Sequence, residues 1–106
     1  MAINSRRKGK TGELEFARLC REQGYDARRG QQYNGLEGED VVGLPGIHAE
    51  VKRVEKLNLE AAMEQAIRDA GGKIPIVAHR KNGRKWMITM PVDQFFEIYR
   101  EWEAGR

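Results

Sequence analysis

Two hydrophobic periods meet in one short stretch of this chain, and their junction restricts the fold more than any other feature. Across Ile47–Arg53 the apolar residues Ile47, Ala49 and Val51 alternate with His48, Glu50 and Lys52. A period of two predicts a strand with two unlike faces. Shortly after, Leu59, Ala62, Met63, Ala66, Ile67 and Ala70 recur at spacings of three and four, which predicts a helix with one apolar stripe. Asn58 is placed to cap that helix and Gly71-Gly72 to end it.

The rest of the chain supplies the same two kinds of element. Residues 1–9 read as a flexible basic arm. A helix is predicted from near Thr11 to Gln23, where Phe16, Leu19, Cys20 and Gln23 keep helical spacing before Gly24. Tyr25–Arg29 suits a short strand, and Gly30–Glu39, with three glycines and Asn34, a loop. Asp40–Val42 reads as a strand that turns through Leu44-Pro45-Gly46 into Ile47–Arg53. Ile74–His79 and Lys85–Met90 are predicted strands joined at Asn82-Gly83. A final helix follows Pro91, with Val92, Phe95, Phe96, Tyr99 and Trp102 on one face. The order α-β-β-β-α-β-β-α predicts an α/β domain over residues 10–106, with a central mixed sheet covered by three amphipathic helices. The 106 residues leave room for one core only.

No apolar run approaches the roughly 18 residues of a membrane span. The basic start is not followed by the apolar segment of a secretory signal. No membrane association and a cytoplasmic location are therefore expected. Cys20 is the single cysteine, so neither an internal disulfide nor a thiolate zinc cluster is available, and it reads as a packed core thiol. The net charge is only +3. Its distribution is more informative: Arg6, Arg7, Lys8 and Lys10; Arg28 and Arg29; Lys52, Arg53 and Lys56; Arg80, Lys81, Arg84 and Lys85. Four basic clusters in a small domain favour a polyanionic partner, although any one of them alone is an ordinary solvated surface.

Glu50-Val51-Lys52 carries the chemistry. Strand alternation puts Glu50 and Lys52 on one face as neighbours. Alone, such a triplet is more often an exposed strand with an ion pair. Asp40, ten residues before Glu50, changes this, because a hairpin of the two strands brings it opposite the Glu50 end. Two converged carboxylates repel unless a cation lies between them. A hard divalent ion such as Mg²⁺, with Mn²⁺ as a substitute, takes carboxylates, a backbone carbonyl and phosphate oxygens. Asp40, Glu50 and the carbonyl of Val51 are the candidate ligands. Lys52 is placed to position an attacking water or to stabilise charge on a phosphate.

Read together, Lys8-Gly9-Lys10-Thr11-Gly12-Glu13-Leu14-Glu15, Arg28-Arg29-Gly30, Gly38-Glu39-Asp40-Val41-Val42 and Ala49-Glu50-Val51-Lys52-Arg53 resemble the PD-(D/E)XK nuclease core. Within that superfamily the sequence is most similar to Holliday-junction resolvases and related short phage or prophage endonucleases. The resemblance runs from Lys8 to the last strand. Glu39 stands where the motif's name has proline. The resemblance implies a restriction-endonuclease-like fold, Mg²⁺-dependent hydrolysis of phosphodiester bonds in double-stranded or branched DNA, a role in recombination, and a homodimer. It also implies that a glutamate of the first helix completes the metal site. Glu13 matches by its spacing from Gly9 and by helical phase, with Glu15 as the competing assignment. Lys8, Lys10, Arg28, Arg29, Arg53 and Lys56 are the candidate DNA contacts, and Gln65 a candidate supporting residue.

Other residues carry two readings each. His48 shares the Glu50 face and reads as an outer contact of the site or as a surface histidine. His79 reads as a phosphate contact or a solvated strand end. Trp86 and Trp102 read as core or interface anchors. The aromatic face around Phe95, Phe96 and Tyr99 reads as a dimer interface or as sheet cover. Competing functions are a nicking or end-processing nuclease and a DNA-binding module without catalysis.

Overall fold

The computed structural model describes residues 5–30 and 38–106, with side chains from residue 9 onward. The Lys8 side chain and residues 31–37 of the predicted glycine loop lie outside the described residues. The elements are α1 (Ser5–Glu22), β1 (Arg28–Arg29), β2 (Val41–Val42), β3 (Ile47–Arg53), α2 (Leu59–Asp69), β4 (Ile74–Arg80), β5 (Met87–Thr89) and α3 (Val92–Ala104). They form an α/β domain around one five-stranded mixed sheet of order β1-β2-β3-β4-β5. All neighbours are antiparallel except β3 and β4, which run parallel and are joined by the α2 crossover.

The alternation of β3 sets the layers. Ala49 and Val51 face α1, where they pack with Phe16, Ala17, Cys20, Val41, Ile76 and Ala78. On the opposite face Val77 of β4 packs with Ala62 and Ala66 of α2. The β3–β4 register pairs Glu50 with Val77 and His48 with Pro75, so Glu50 and His48 lie on the α2 face. Both are buried, each 2% exposed. Asn58 caps α2 by accepting from the Ala61 N–H at 3.0 Å.

Three expectations need correction. The first helix begins at Ser5 rather than near Thr11, so residues 5–9 are helical rather than an arm. Arg and Lys are good helix formers, and a charged run without apolar residues hides that. The first strand shrinks from Tyr25–Arg29 to Arg28–Arg29, because β2 offers only two partners, Val41 and Val42. The return strand shortens to Met87–Thr89, since the Lys81–Arg84 turn, closed by a 3.1 Å bond from the Arg84 N–H to the Lys81 carbonyl, takes up the residues before it. The third helix, α3, flanks the sheet as expected but buries none of its residues, and the two buried clusters lie under α1 and α2.

One glycine fixes how α1 approaches the sheet. Gly12 is buried, and a Cβ there would lie 2.8 Å from the Arg53 Cβ. Its missing side chain lets α1 lie against the end of β3, which brings Glu13 to the Lys52 end of that strand.

Candidate functional site

The β2–β3 hairpin positions the central acids. Val41 pairs with Ala49, and one step further along this antiparallel register Asp40 stands opposite Glu50. Asp40 donates its backbone N–H to the Ala49 carbonyl at 3.0 Å. Its Oδ2 accepts the Val51 N–H at 2.8 Å, so a side chain takes the place of a ladder partner where β2 ends. In a strand, the N–H and C=O of one residue leave on the same side. The Val51 carbonyl therefore faces the Asp40 side as well.

The electrostatics single out Asp40. Burial, followed by the charge of Glu50 and a side-chain hydrogen bond with it, pushes its carboxyl from 3.8 up to about 7, against the lowering effect of the Val51 N–H and of Lys52. Glu13 sits at the same place from the helix side. Burial raises its pKa, the Arg29 guanidinium lowers it, Asp40 raises it again and Lys52 lowers it. Arg29 donates to Glu13 Oε1 at 2.6 Å. The four residues expected to carry the chemistry, Glu13, Asp40, Glu50 and Lys52, are thus electrostatic neighbours with Asp40 at the centre. Several acids drawn together out of water, opposed mainly by Lys52 and Arg29, are a donor set that a divalent cation satisfies.

Glu13 and Glu15 have different partners. Glu15 Oε1 accepts from Trp86 Nε1 at 2.9 Å. The Nε atoms of Arg80 and Arg53 lie 2.8 and 3.5 Å from its two oxygens, though neither is aligned for a hydrogen bond. Trp86 in turn packs on Phe16, with ring centroids 5.4 Å apart. Glu15 is therefore part of a half-buried ion network at the α1–β4 side.

The expected basic contacts divide. Lys10, Arg28 and Lys56 are exposed. Arg29 is held by Glu13, and Arg53 is half-buried beside Glu15 instead of standing free at the surface. Gln65 is half-buried on α2, and no hydrogen bond ties it to the acids among the described residues. His79 is half-buried and bonded to Thr89 Oγ1 at 2.9 Å, with its pKa lowered by burial, so it is not a solvated strand end. Trp102 is exposed.

Three residues near the site take on partners that the sequence does not reveal. His48 is not a surface histidine: its Nε2 lies 2.8 Å from Glu50 Oε1 and its Nδ1 3.7 Å from Glu39 Oε1. Lys73 donates to that same Glu39 oxygen. Asp69, near the end of α2, joins His48 and Glu50 in a group whose candidate ligand atoms all lie within 4.8 Å of one another. Its Oδ2 is buried without a hydrogen-bond partner among the described residues. Its phase was legible, though not its partners: Asp69 follows Ala66 by three and Ala62 by seven, which puts it on the buried stripe of α2 over the Glu50 face.

No family model matches the sequence, and no curated protein matches it significantly. Among the described residues no helix is long and apolar enough to cross a membrane.

Proposed function

We propose that this chain is a Mg²⁺-dependent DNA endonuclease on a restriction-endonuclease-like, PD-(D/E)XK core, with Mn²⁺ able to substitute. The observation that carries the reading is the convergence of Asp40 and Glu50 across the β2–β3 register, pinned by the Val51 N–H to Asp40 bond of 2.8 Å. Support comes from Glu13 and Lys52, which reach the same point from α1 and β3. Grouped acids of this kind are poor stabilising elements, since carboxylates leaving water together lose solvation and repel. A cation between them offsets that cost.

Asp40, Glu50 and Glu13 would supply carboxylate oxygens, and Val51 its carbonyl. The ion, when bound, lowers the pKa of a water and offsets charge on the scissile phosphate. Lys52 holds its ammonium on the same strand face as Glu50, where it stabilises charge developing on phosphorus. Lys10, Arg28, Arg29 and Lys56 hold the DNA backbone and set its register. Arg53, half-buried beside Glu15, is a less exposed candidate of the same group.

The resemblance to Holliday-junction resolvases adds branched DNA as substrate and a homodimer presenting two sites. The apolar stripe of α3, with Phe95, Phe96, Tyr99 and Trp102 each at least 40% exposed, offers surface for such a contact. The test is cleavage of labelled four-way, flap and linear duplex DNA in Mg²⁺, with Glu50→Gln as control. Cutting of the four-way junction that is lost in the control is expected. DNA binding with no cutting in Mg²⁺ or Mn²⁺ would leave a binding module, and preference for flap or linear DNA would leave an end-processing nuclease.

A further inference from the structure

A carboxylate as deeply buried as Glu50, at 2% exposed, needs donors to fix it. The charged groups around it include Asp40, which adds negative charge, and Asp69, which does the same from α2. His48 is different. It lies two residues earlier on the same strand face, is itself 2% exposed, and approaches Glu50 Oε1 with Nε2 at 2.8 Å. Against a carboxylate acceptor, the ring nitrogen must be the donor.

The ring is itself held. Its Nδ1 lies 3.7 Å from Glu39 Oε1, and Lys73 donates to that oxygen from the start of the next strand segment. Lys73, Glu39, His48 and Glu50 thus form a chain from an exposed ammonium to the centre of the acid group. Pro75 is the β4 register partner of His48, so the ring sits beside a rigid backbone position. A buried ring hydrogen-bonded at Nε2, with the Glu39–Lys73 pair beside its other nitrogen, has little freedom to swing.

We infer that His48 is a positioning residue, which orients the Glu50 carboxylate toward the shared cation through Nε2 while burial, with the Glu39–Lys73 pair beside Nδ1, confines the ring. The inference rests on the cation reading of Asp40 and Glu50. His48 does not touch the reacting phosphate. It acts through Glu50, as outer hydrogen-bond partners of metal ligands do.

Two variants separate this role from a structural one. The Gln Nε2 is as many bonds from Cβ as the imidazole Nε2, so His48→Gln keeps a donor to Glu50. The Asn Nδ2 corresponds to the imidazole Nδ1, so His48→Asn keeps a group facing Glu39 and loses the one facing Glu50. Mn²⁺ affinity is measured by calorimetry, without DNA, at a temperature where thermal unfolding shows both variants folded. His48→Asn is expected to bind Mn²⁺ about 10–100-fold more weakly than the unsubstituted chain. His48→Gln is expected to stay within about threefold, well short of that loss. Equal affinity of His48→Asn and the unsubstituted chain overturns the inference. So does an equal loss in both variants, which would make the imidazole itself a ligand. Should His48→Asn not fold, a loss of tenfold or more in His48→Gln overturns it alone. Absence of Mn²⁺ binding by the unsubstituted chain is a separate outcome: it removes the cation reading, and the inference goes with it.

Discussion

Beneath α1 the sheet presents Val41, Ala49, Val51, Ile76 and Ala78 to Phe16, Ala17 and Cys20, and every one of these is apolar and buried. Beneath α2 the same strands present His48 and Glu50 beside Val77, against the alanines Ala62 and Ala66. The two faces are similarly dry and differ in chemistry. The first is where the fold gains its stability, since burying apolar area contributes about 25 cal/mol per Å². The second gives up some of that gain by placing ionisable groups where apolar residues would pack. Electrostatics should therefore control the second face and packing the first, and substitutions that cross this division would break the comparison.

The largest effect is expected on the apolar face. Phe16 is 4% exposed and packs at a tilt against Trp86. Phe16→Ala removes a large buried ring from a core with little freedom to collapse, at a cost of about 3–5 kcal/mol. A denaturant titration reads this as a lower midpoint at unchanged slope. A loss under 1 kcal/mol would mean that the α1 face is not where stability resides.

The acid face should respond in the opposite direction. Asp40 has a folded pKa of about 7 against an ordinary 3.8. A raised folded pKa means that the folded chain holds the proton more tightly than the unfolded one. The resulting stabilisation is complete below about pH 4 and is lost as pH rises to 7. Without metal, stability should fall by about 2–4 kcal/mol across this window, and Asp40→Asn should flatten the fall and be the more stable protein above pH 7. Mn²⁺ affinity should climb over the same window, because proton and cation compete for one carboxylate. Unfolding curves at pH 4, 5.5 and 7.5 with and without chelator test it, and a flat metal-free profile would count against a strained acid pair.

How much of this was legible follows from the kind of signal each residue gives. The bounds of β3 and the start of α2 were readable because alternation and an Asn cap are local effects. The Asp40–Glu50 encounter was readable because hairpin register follows from a short turn. The fate of His48 was not, because alternation says which face a residue takes and not what covers that face. Asp69 was hidden for the complementary reason: its phase was visible, but an acid on an apolar stripe gains meaning only with a polar strand beneath it. The Phe95–Trp102 face of α3 has clear periodicity, yet period alone cannot say whether a helix lies on its own sheet.

The smallest expected effect is also the sharpest division, because it lies within one turn of α1. Glu13 and Glu15 are two residues apart and serve different faces. Glu15→Ala leaves Arg53 and Arg80 half-buried without their carboxylate and removes the acceptor of Trp86 Nε1. Partial solvent access moderates the loss to about 1–2 kcal/mol, with Mn²⁺ affinity unchanged. Glu13→Gln should behave inversely. Burial already raises the Glu13 pKa, so neutralising it relieves a cost, and stability in chelator should hold or rise slightly. Its Mn²⁺ affinity should drop, because a carboxylate ligand is gone. Paired calorimetry and thermal unfolding on the two variants decide the matter. If Glu15→Ala weakens Mn²⁺ binding while Glu13→Gln does not, the assignment of the helix acid is reversed.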